Sequence, residues 1–228
     1  MSRRIALTLT PLALLLPVAA CAGGPSTTDQ TAYRIDERVT ALVAGARAAS
    51  FDIVTGDGPV TVTEEHRYSQ DKPTTAHRVE GTTLRLTESG CGNDDARCEV
   101  HYRIRMPAAM SVDITAQAGA VKVDGVAGQI RVKTEAGAVE GRALTSDEVT
   151  VKTELGATDL EFTEAPGLIS TTTGMGSVEL RVPGSTAYAV DVNTKAGADR
   201  VKVARDASSA NRIQVRTDSG AVSIEPLP

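Results

Sequence analysis

The chain has 228 residues and a formal net charge of −5, which gives a nucleic-acid partner no electrostatic support. Tryptophan is absent and aromatic residues make up only 3% of the chain, so a core must consist of Val, Ile, Leu, Ala and Thr. These β-branched and small residues fit the pleated, closely layered interior of a β protein.

Residues 1–20 have the pattern of a bacterial signal peptide. Positive charge in MSRR precedes an apolar run from Ile5 to Val18, which is shorter than the ~20 residues of a membrane span. The run ends in VAAC, which resembles the lipobox of bacterial lipoproteins, in which the chain is cut before the cysteine and its thiol is lipidated. We therefore expect Cys21 to anchor the protein at the extracytoplasmic face of the bacterial cell membrane. General secretion and twin-arginine export are equally open.

Residues 21–38 are expected to form a lipidated N-terminus and a flexible tether, because the stretch AGGPSTTDQTA is small and polar. The folded part is then a β-strand-repeat domain over residues 39–228. Removing residues 1–20 deletes two arginines and no acidic residue, so the mature chain becomes more acidic.

Residues 59–110 predict a β insertion that follows a first rung. PVTVTEEHRYS predicts a strand, HRVEGTTLRL a hairpin that turns at Glu80–Gly81, and CEVHYRIRMP a strand with alternating apolar residues. Cys91 and Cys98 are an even pair in an exported protein, so they are expected to form a disulfide across a short loop.

A pattern centred on glycine recurs about every twenty residues in the rest of the chain. Residues three, five and seven positions before each glycine are mostly Thr, Val and Ile, and those two and four positions after it are mostly apolar. Each copy is therefore a strand, a glycine corner and a second strand. The predicted corners are Gly119, Gly137, Gly156, Gly176, Gly197 and Gly220, with an outlying copy at Gly58.

This pattern predicts an all-β fold, a β-solenoid resembling a single-stranded β-helix with about seven rungs, because stacked copies bury a face that one copy cannot. The threonines before the corners are expected to face inward and form a ladder of hydroxyl groups. Pro226 and Pro228 are expected to blunt the last exposed edge. The alternative is a β-sandwich of twenty-residue hairpins, which explains the strand spacing but not the same Thr-x-x-Gly in each copy.

The chain has an opening DIVTGDGPVTV, a hairpin region that ends in the strand RIRMPAAMSVDI, and then TxxGAVxV copies. This order resembles a β-strand-repeat family of exported bacterial proteins labelled "putative adhesins". The resemblance covers about residues 39–225. It implies the solenoid fold and a surface location, and it brings no catalytic residues.

These features predict a lipid-anchored extracytoplasmic structural or interaction module without a cofactor, monomeric, whose partner is an unidentified envelope protein or polymer. The alternative is a hydrolase or lyase that acts on cell-envelope polysaccharide. Stacking of the rungs would also align Glu140, Asp159, Glu161 and Glu179, whose oxygens suit a weak calcium site unless Arg142 and Arg181 neutralise them. His66 and His101, with Glu64 or Glu65, are also candidate zinc ligands, the alternative being that they are solvated strand residues.

Overall fold

The computed structural model describes residues 26–92 and 98–227, and these residues form eighteen β-strands. The strands are β1 (Thr27–Ile35), β2 (Ala41–Thr55), β3 (Val60–Tyr68), β4 (Thr75–Glu80), β5 (Thr83–Glu88), β6 (Glu99–Met106), β7 (Ser111–Ala118), β8 (Val121–Asp124), β9 (Ile130–Ala136), β10 (Val139–Leu144), β11 (Glu148–Leu155), β12 (Thr158–Phe162), β13 (Leu168–Met175), β14 (Val178–Pro183), β15 (Ala189–Ala196), β16 (Asp199–Val201), β17 (Arg212–Ser219) and β18 (Val222–Leu227). No helix among the described residues is long and apolar enough to span a membrane.

The strands form two sheets that share the long strand β2. In the first sheet the order is β4-β5-β2-β7-β9-β11-β13-β17-β15. In the second sheet the order is β1-β3-β6-β2-β8-β10-β12-β14-β18-β16. Rungs that are neighbours in the stack pair in parallel, whereas a sandwich of hairpins would pair neighbours antiparallel. The fold is therefore the predicted β-solenoid.

A column of glycines forms the corner between the two sheets. A Cβ atom on Gly137 would lie 1.9 Å from the carbonyl oxygen of Gly119, and a Cβ atom on Gly156 would lie 2.0 Å from that of Gly137. Only glycine allows rungs to approach this closely. By these contacts the column runs in the order Ala49, Gly119, Gly137, Gly156, Gly176, Gly220 and Gly197.

The prediction of a corner at Gly58 is wrong. Phe51 pairs with Val121 and Ile53 with Val123, so these two residues follow the first corner instead of preceding it. The corner of the first rung is Ala49, whose carbonyl oxygen lies against Gly119. The sequence pattern predicted the wrong position for this corner because inward and outward residues alternate in the same way in the strands before and after a corner.

The last two rungs stack out of sequence order. The rung of β17 and β18 lies between that of β13 and β14 and that of β15 and β16, which is outermost. Asp199 of β16 pairs with the fully buried Val222, so it occupies an inward-facing position. Its carboxylate is exposed only because the rung lies at the open end, since burial of an unpaired charge is costly. Pro226 of β18 pairs with Val182 of β14 and lies beyond the part of β18 that β16 covers, so the outermost strand is β16 and not β18. Pro228 lies outside the described residues.

The predicted insertion extends the opposite end of the stack. β5 and β6 pair in parallel with the two halves of β2, and β4 and β3 then pair with them antiparallel. Cys91 and Cys98, between β5 and β6, form a disulfide with an S–S distance of 2.04 Å. The buried Glu88 carboxylate beside it accepts hydrogen bonds from the backbone N–H groups of Arg47 and Ala48 at 2.8 and 2.9 Å. These hydrogen bonds join the end of β5 to the corner of the first rung.

Part of the expected tether is a strand. Within residues 21–38, Thr27–Ile35 forms β1, which pairs antiparallel with β3 along its whole length. The predicted signal peptide and Cys21, the predicted lipidation site, lie outside the described residues.

The corner threonines face inward, as the parity of the strands predicts. Thr134, Thr153, Thr173 and Thr217 are all buried. The ladder of hydroxyl groups was expected to bond within itself or to the backbone. Bonds between the hydroxyls of these four residues are not found, because adjacent rungs are separated by the ~4.8 Å between strands, beyond hydrogen-bonding distance. Only Thr153 of these four has a bond, to the carbonyl oxygen of Gly137 at 3.4 Å, among the described residues.

Candidate interaction surface

An open depression of about 480 Å³ lies on the outer face of the first sheet. It is centred on β13, which turns the short residues Thr172 and Gly174 outward. The flanking strands β11 and β17 carry longer side chains in register with them. The depression is therefore a direct result of one rung with small outward residues between two rungs with large ones.

Charges of both signs line the depression on each side. Lys152 and Arg216 pair in register with Thr172 on its two sides, and Glu154 and Asp218 belong to the adjacent outward row beside Gly174. The lining thus has a cation and an anion on each wall. Such a surface matches a ligand that carries charges of both signs better than a polyanion.

An exposed apolar pair borders one end of the depression. Leu155 and Met175 pair in register beside the glycine corner and are 47% and 58% exposed. The equivalent position on the neighbouring rungs is Ala136 or Ser219, so these two rungs alone present large apolar side chains there. Exposed apolar groups rimmed by charges are typical of interaction sites.

The second sheet presents the predicted acidic stripe, with both arginines inserted in it. Arg181 contacts Asp159 at 2.9 Å, Glu161 at 3.1 Å and Glu179 at 2.7 Å. Arg142 contacts Asp159 at 2.8 Å and Glu140 at 2.9 Å. The stripe is a salt-bridged network in which two guanidinium groups alternate with four carboxylates.

The network changes the titration of its members. The hydrogen bond from Arg142 holds the pKa of Asp159 below its ordinary value of 3.8, and the same bond raises the pKa of Arg142. Because the pKa of Asp159 is lowered in the folded protein, its contribution to stability is present at neutral pH. That contribution is lost as the pH falls below 3.8 and through the lowered pKa.

This arrangement argues against the calcium hypothesis. The four candidate ligands do come together, but guanidinium groups already bind their oxygen atoms. No group of three or more acidic, His or Cys side chains in residues 26–92 and 98–227 is placed to hold a metal ion.

Millimolar calcium is therefore expected to leave the melting temperature of the protein unchanged at constant ionic strength. The double substitution Arg142→Met and Arg181→Met frees the four carboxylates, so the variant should melt lower, and calcium should raise its melting temperature. Arg131→Met, which removes a cation from an exposed ion pair with Glu148 on the first sheet, is the control and should show no calcium response. A calcium-dependent rise in the unmodified protein would contradict this interpretation.

A buried polar cluster joins β1 to β3. His66 and Glu64 of β3 are almost fully buried, and Tyr33 of β1 donates to Glu64 at 2.7 Å. The His66 imidazole contacts Asp29 of β1 at 3.0 Å. Burial, together with the bond to Glu64, raises the pKa of Tyr33, which keeps it protonated as a donor. The cluster thus fixes the N-terminal strand to the stack.

The cluster does not have the arrangement of a nucleophilic triad. Thr75 lies 3.3 Å from the second ring nitrogen of His66, but its hydroxyl donates to Glu64 at 2.7 Å. A nucleophile would instead direct its proton toward the imidazole. We interpret the cluster as a structural element of the end of the stack where β1 and β3 lie.

The zinc hypothesis also fails on geometry. Glu65 pairs with His101, and His66 pairs with Val100. Adjacent residues of a strand point to opposite faces, so the two imidazoles diverge.

The sequence pattern did not reveal the roles of Asp29 and Tyr33, because the small and polar composition of this segment predicts a tether. The alternation of Tyr33 and Ile35 with charged residues was the available signal.

Comparisons with known proteins agree with this fold. The family model described as Toastrack DUF4097 matches residues 46–225. A "putative cell adhesion protein" from Clostridium sporogenes ATCC 15579 is 12% identical over 89% of this chain and 100% of that one, with a TM-score of 0.51. A "putative adhesin" from Bacteroides fragilis NCTC 9343 is 12% identical over 88% and 97%, with a TM-score of 0.44. No curated protein matches the chain. Since the family model covers more than half of the chain, the protein belongs to the Toastrack DUF4097 family, whose function is unknown.

Proposed function

We propose that the protein is a lipid-anchored extracytoplasmic interaction module that binds a protein partner of the cell envelope through the depression on the first sheet. The observation that carries the proposal is the exposed pair of Leu155 and Met175 beside a lining of mixed charge. The description of a similar structure as a "putative cell adhesion protein" supports an interaction role.

The chemistry of the depression favours a protein segment over an anionic envelope polymer. Glu154 and Asp218 would repel a polyanion, and the chain as a whole is acidic. Apolar side chains of a partner can cover Leu155 and Met175, while charged side chains on either flank pair with the walls. No observation in the described ranges favours the hydrolase or lyase alternative, since the clustered acids of the second sheet are held by guanidinium groups.

Surface variants on intact cells test the binding site. Met175→Asp places a charge in the apolar pair and should abolish crosslinking to the envelope protein that the unmodified protein captures. Thr115→Asp adds the same charge at an exposed position of the same sheet on β7, outside the depression, and should retain capture. Loss of the captured protein with both variants, or retention with both, would contradict a site at the depression.

Replacement of Cys21 tests the anchor. Cys21→Ser should leave unprocessed precursor or protein without fatty-acid label, because the thiol that accepts the lipid is missing. Two acyl chains give stable membrane attachment, so the variant should also leave the membrane fraction or retain its signal peptide. The measurement is metabolic fatty-acid labelling followed by fractionation, with Cys91→Ser as the control that keeps the label. Normal labelling of Cys21→Ser would exclude this anchor.

A further inference from the structure

The stack of rungs is open at one end. Val190 and Val192 of β15 are half-buried, whereas Ile213 and Val215, their partners on β17, are fully buried. The opposite end is closed by the antiparallel strands β1, β3 and β4 and by the polar cluster. Solenoids cover such ends with capping repeats, and no strand among the described residues covers the apolar interior at β15 in this way.

The outer edge of β15 also has free backbone groups. Among the described residues β15 forms a ladder with β17 alone. The backbone N–H of Ala189 points toward β17 and donates to the carbonyl oxygen of Asn211 at 2.9 Å. The backbone N–H and C=O groups of successive residues alternate between the two sides of a strand. Those of Val190, Val192 and Thr194 therefore point to the free edge.

The loop after β16 protects the edge only before β15 begins. The backbone groups of Tyr188 point outward by the same alternation. Its N–H donates to the carbonyl oxygen of Ala204 at 2.9 Å, and its carbonyl oxygen accepts from the backbone N–H of Asp206 at 3.0 Å. No such bond continues along β15 in the described part of the chain. The strand from Val190 onward is therefore free to pair.

The exposed side chains of β15 are complementary to themselves. Asp191 and Lys195 lie two residues on either side of Asn193, and all three are exposed. If a second copy of β15 runs antiparallel about a two-fold axis at Asn193, Asp191 lies opposite Lys195 of the second copy. In this register Val192 of one copy lies opposite Thr194 of the other. The backbone N–H and C=O groups of both residues point to the edge, so each such pair can exchange two hydrogen bonds.

We propose that the protein forms a two-fold symmetric dimer in which β15 pairs antiparallel with β15 of a second copy, in place of the monomer expected from the sequence. Within one copy Asp191 contacts Arg216 at 3.6 Å and Lys195 contacts Asp218 at 2.8 Å. In the dimer these pairs join into a row of alternating charge across the interface. An axis at Asp191 instead would place two aspartates opposite each other, which disfavours that register.

The occupant is a second copy because the complement to the edge is its own sequence. A two-fold axis pairs a strand with itself, and such isologous contacts are the commonest in homo-oligomers. The contact also covers Val190 and Val192 at both open ends at once.

Cysteine crosslinking of the full chain in membranes tests the axis. Asn193→Cys brings two thiols together, because directly opposite residues of an antiparallel pair have Cβ atoms about 4.5–5.5 Å apart, close to disulfide geometry. Thr115→Cys is the control, since Thr115 is exposed in the same row of the sheet but lies five strands inward on β7. We expect a disulfide-linked dimer for Asn193→Cys and none for Thr115→Cys. Equal dimer from both variants, no dimer from Asn193→Cys, or its crosslinking to a different protein would overturn the proposal.

A charge exchange tests the register independently of folding. Asp191→Lys places like charges opposite each other at both symmetric contacts and should raise the dimer dissociation constant roughly tenfold or more, measured by analytical ultracentrifugation of the full chain in detergent. Combining Asp191→Lys with Lys195→Asp restores opposite charges across the interface and should recover the dimer. A double variant that dimerises as poorly as Asp191→Lys, or an Asp191→Lys protein that dimerises normally, would overturn the register.

Discussion

Replacing Gly156 by alanine is expected to lower the free energy of unfolding by about 4 kcal/mol or more, enough to threaten folding. The added Cβ atom would lie 2.0 Å from the carbonyl oxygen of Gly137, a distance that a backbone atom cannot relieve without moving the rung. The residue also has a φ of 149°, which side chains rarely adopt. Thermal or urea denaturation of the purified variant measures the loss.

Gly45→Ala is the matched control for this prediction. Gly45 is exposed in β2, has no neighbour within 4 Å of a Cβ atom, and has no φ in the left-handed range. Alanine there should leave stability unchanged or raise it by about 0.5 kcal/mol, because the unfolded chain loses conformational freedom. Gly137→Ala keeps the close contact without a left-handed φ, so its loss should be large but smaller than that of Gly156→Ala. Equal stability of the Gly156→Ala and Gly45→Ala proteins would contradict the role of the column.

Val151→Asp is expected to destabilise the protein by several kcal/mol. Val151 is 1% exposed and pairs with Val132 on one neighbouring strand and Thr171 on the other, so a carboxylate there has no water and no cationic partner. The protein should either unfold at a much lower temperature or fail to accumulate as soluble material. Circular dichroism during heating provides the measurement.

Lys152→Asp, one residue further along β11, is the control. Its side chain is exposed on the outer face of the first sheet, where a change of charge should alter stability by less than about 1 kcal/mol. Losses of similar size from Val151→Asp and Lys152→Asp would show that the inward and outward faces have been assigned incorrectly.

Local periodicity determines which side chains face inward and where most corners lie. Val151 and Thr153 are buried and Lys152 is exposed because the period of two along a strand is a local property of the backbone. The corner glycines from Gly119 onward are equally readable, since each repeats the same steric requirement against a neighbouring rung of the stack. The hairpin at Gly81 and the solenoid architecture follow from the same short-range signals.

The proposed interaction surface was less predictable than the fold. The stripe of acids was visible in the sequence because the rungs repeat, but its two arginines bind carboxylates of several different rungs. The depression depends on Gly174 and Thr172 lying between longer residues of both neighbouring strands. One of those neighbours, β17, is about forty residues further along the chain and not the next repeat.

Only the tertiary structure decided the order of the last rungs, the first corner and the fate of the N-terminal segment. Repeats with nearly the same pattern can exchange places without changing their local sequence, and burial of whole rungs chooses between the orders. Here the rung with Asp199 at an inward position lies outermost, and the rung with Val222 at that position lies inside. Likewise Tyr33 and Asp29 belong to a strand because Glu64 and His66, more than thirty residues away, provide their partners. Sequence patterns therefore determine each rung, whereas long-range burial and charge pairing determine which rungs are neighbours.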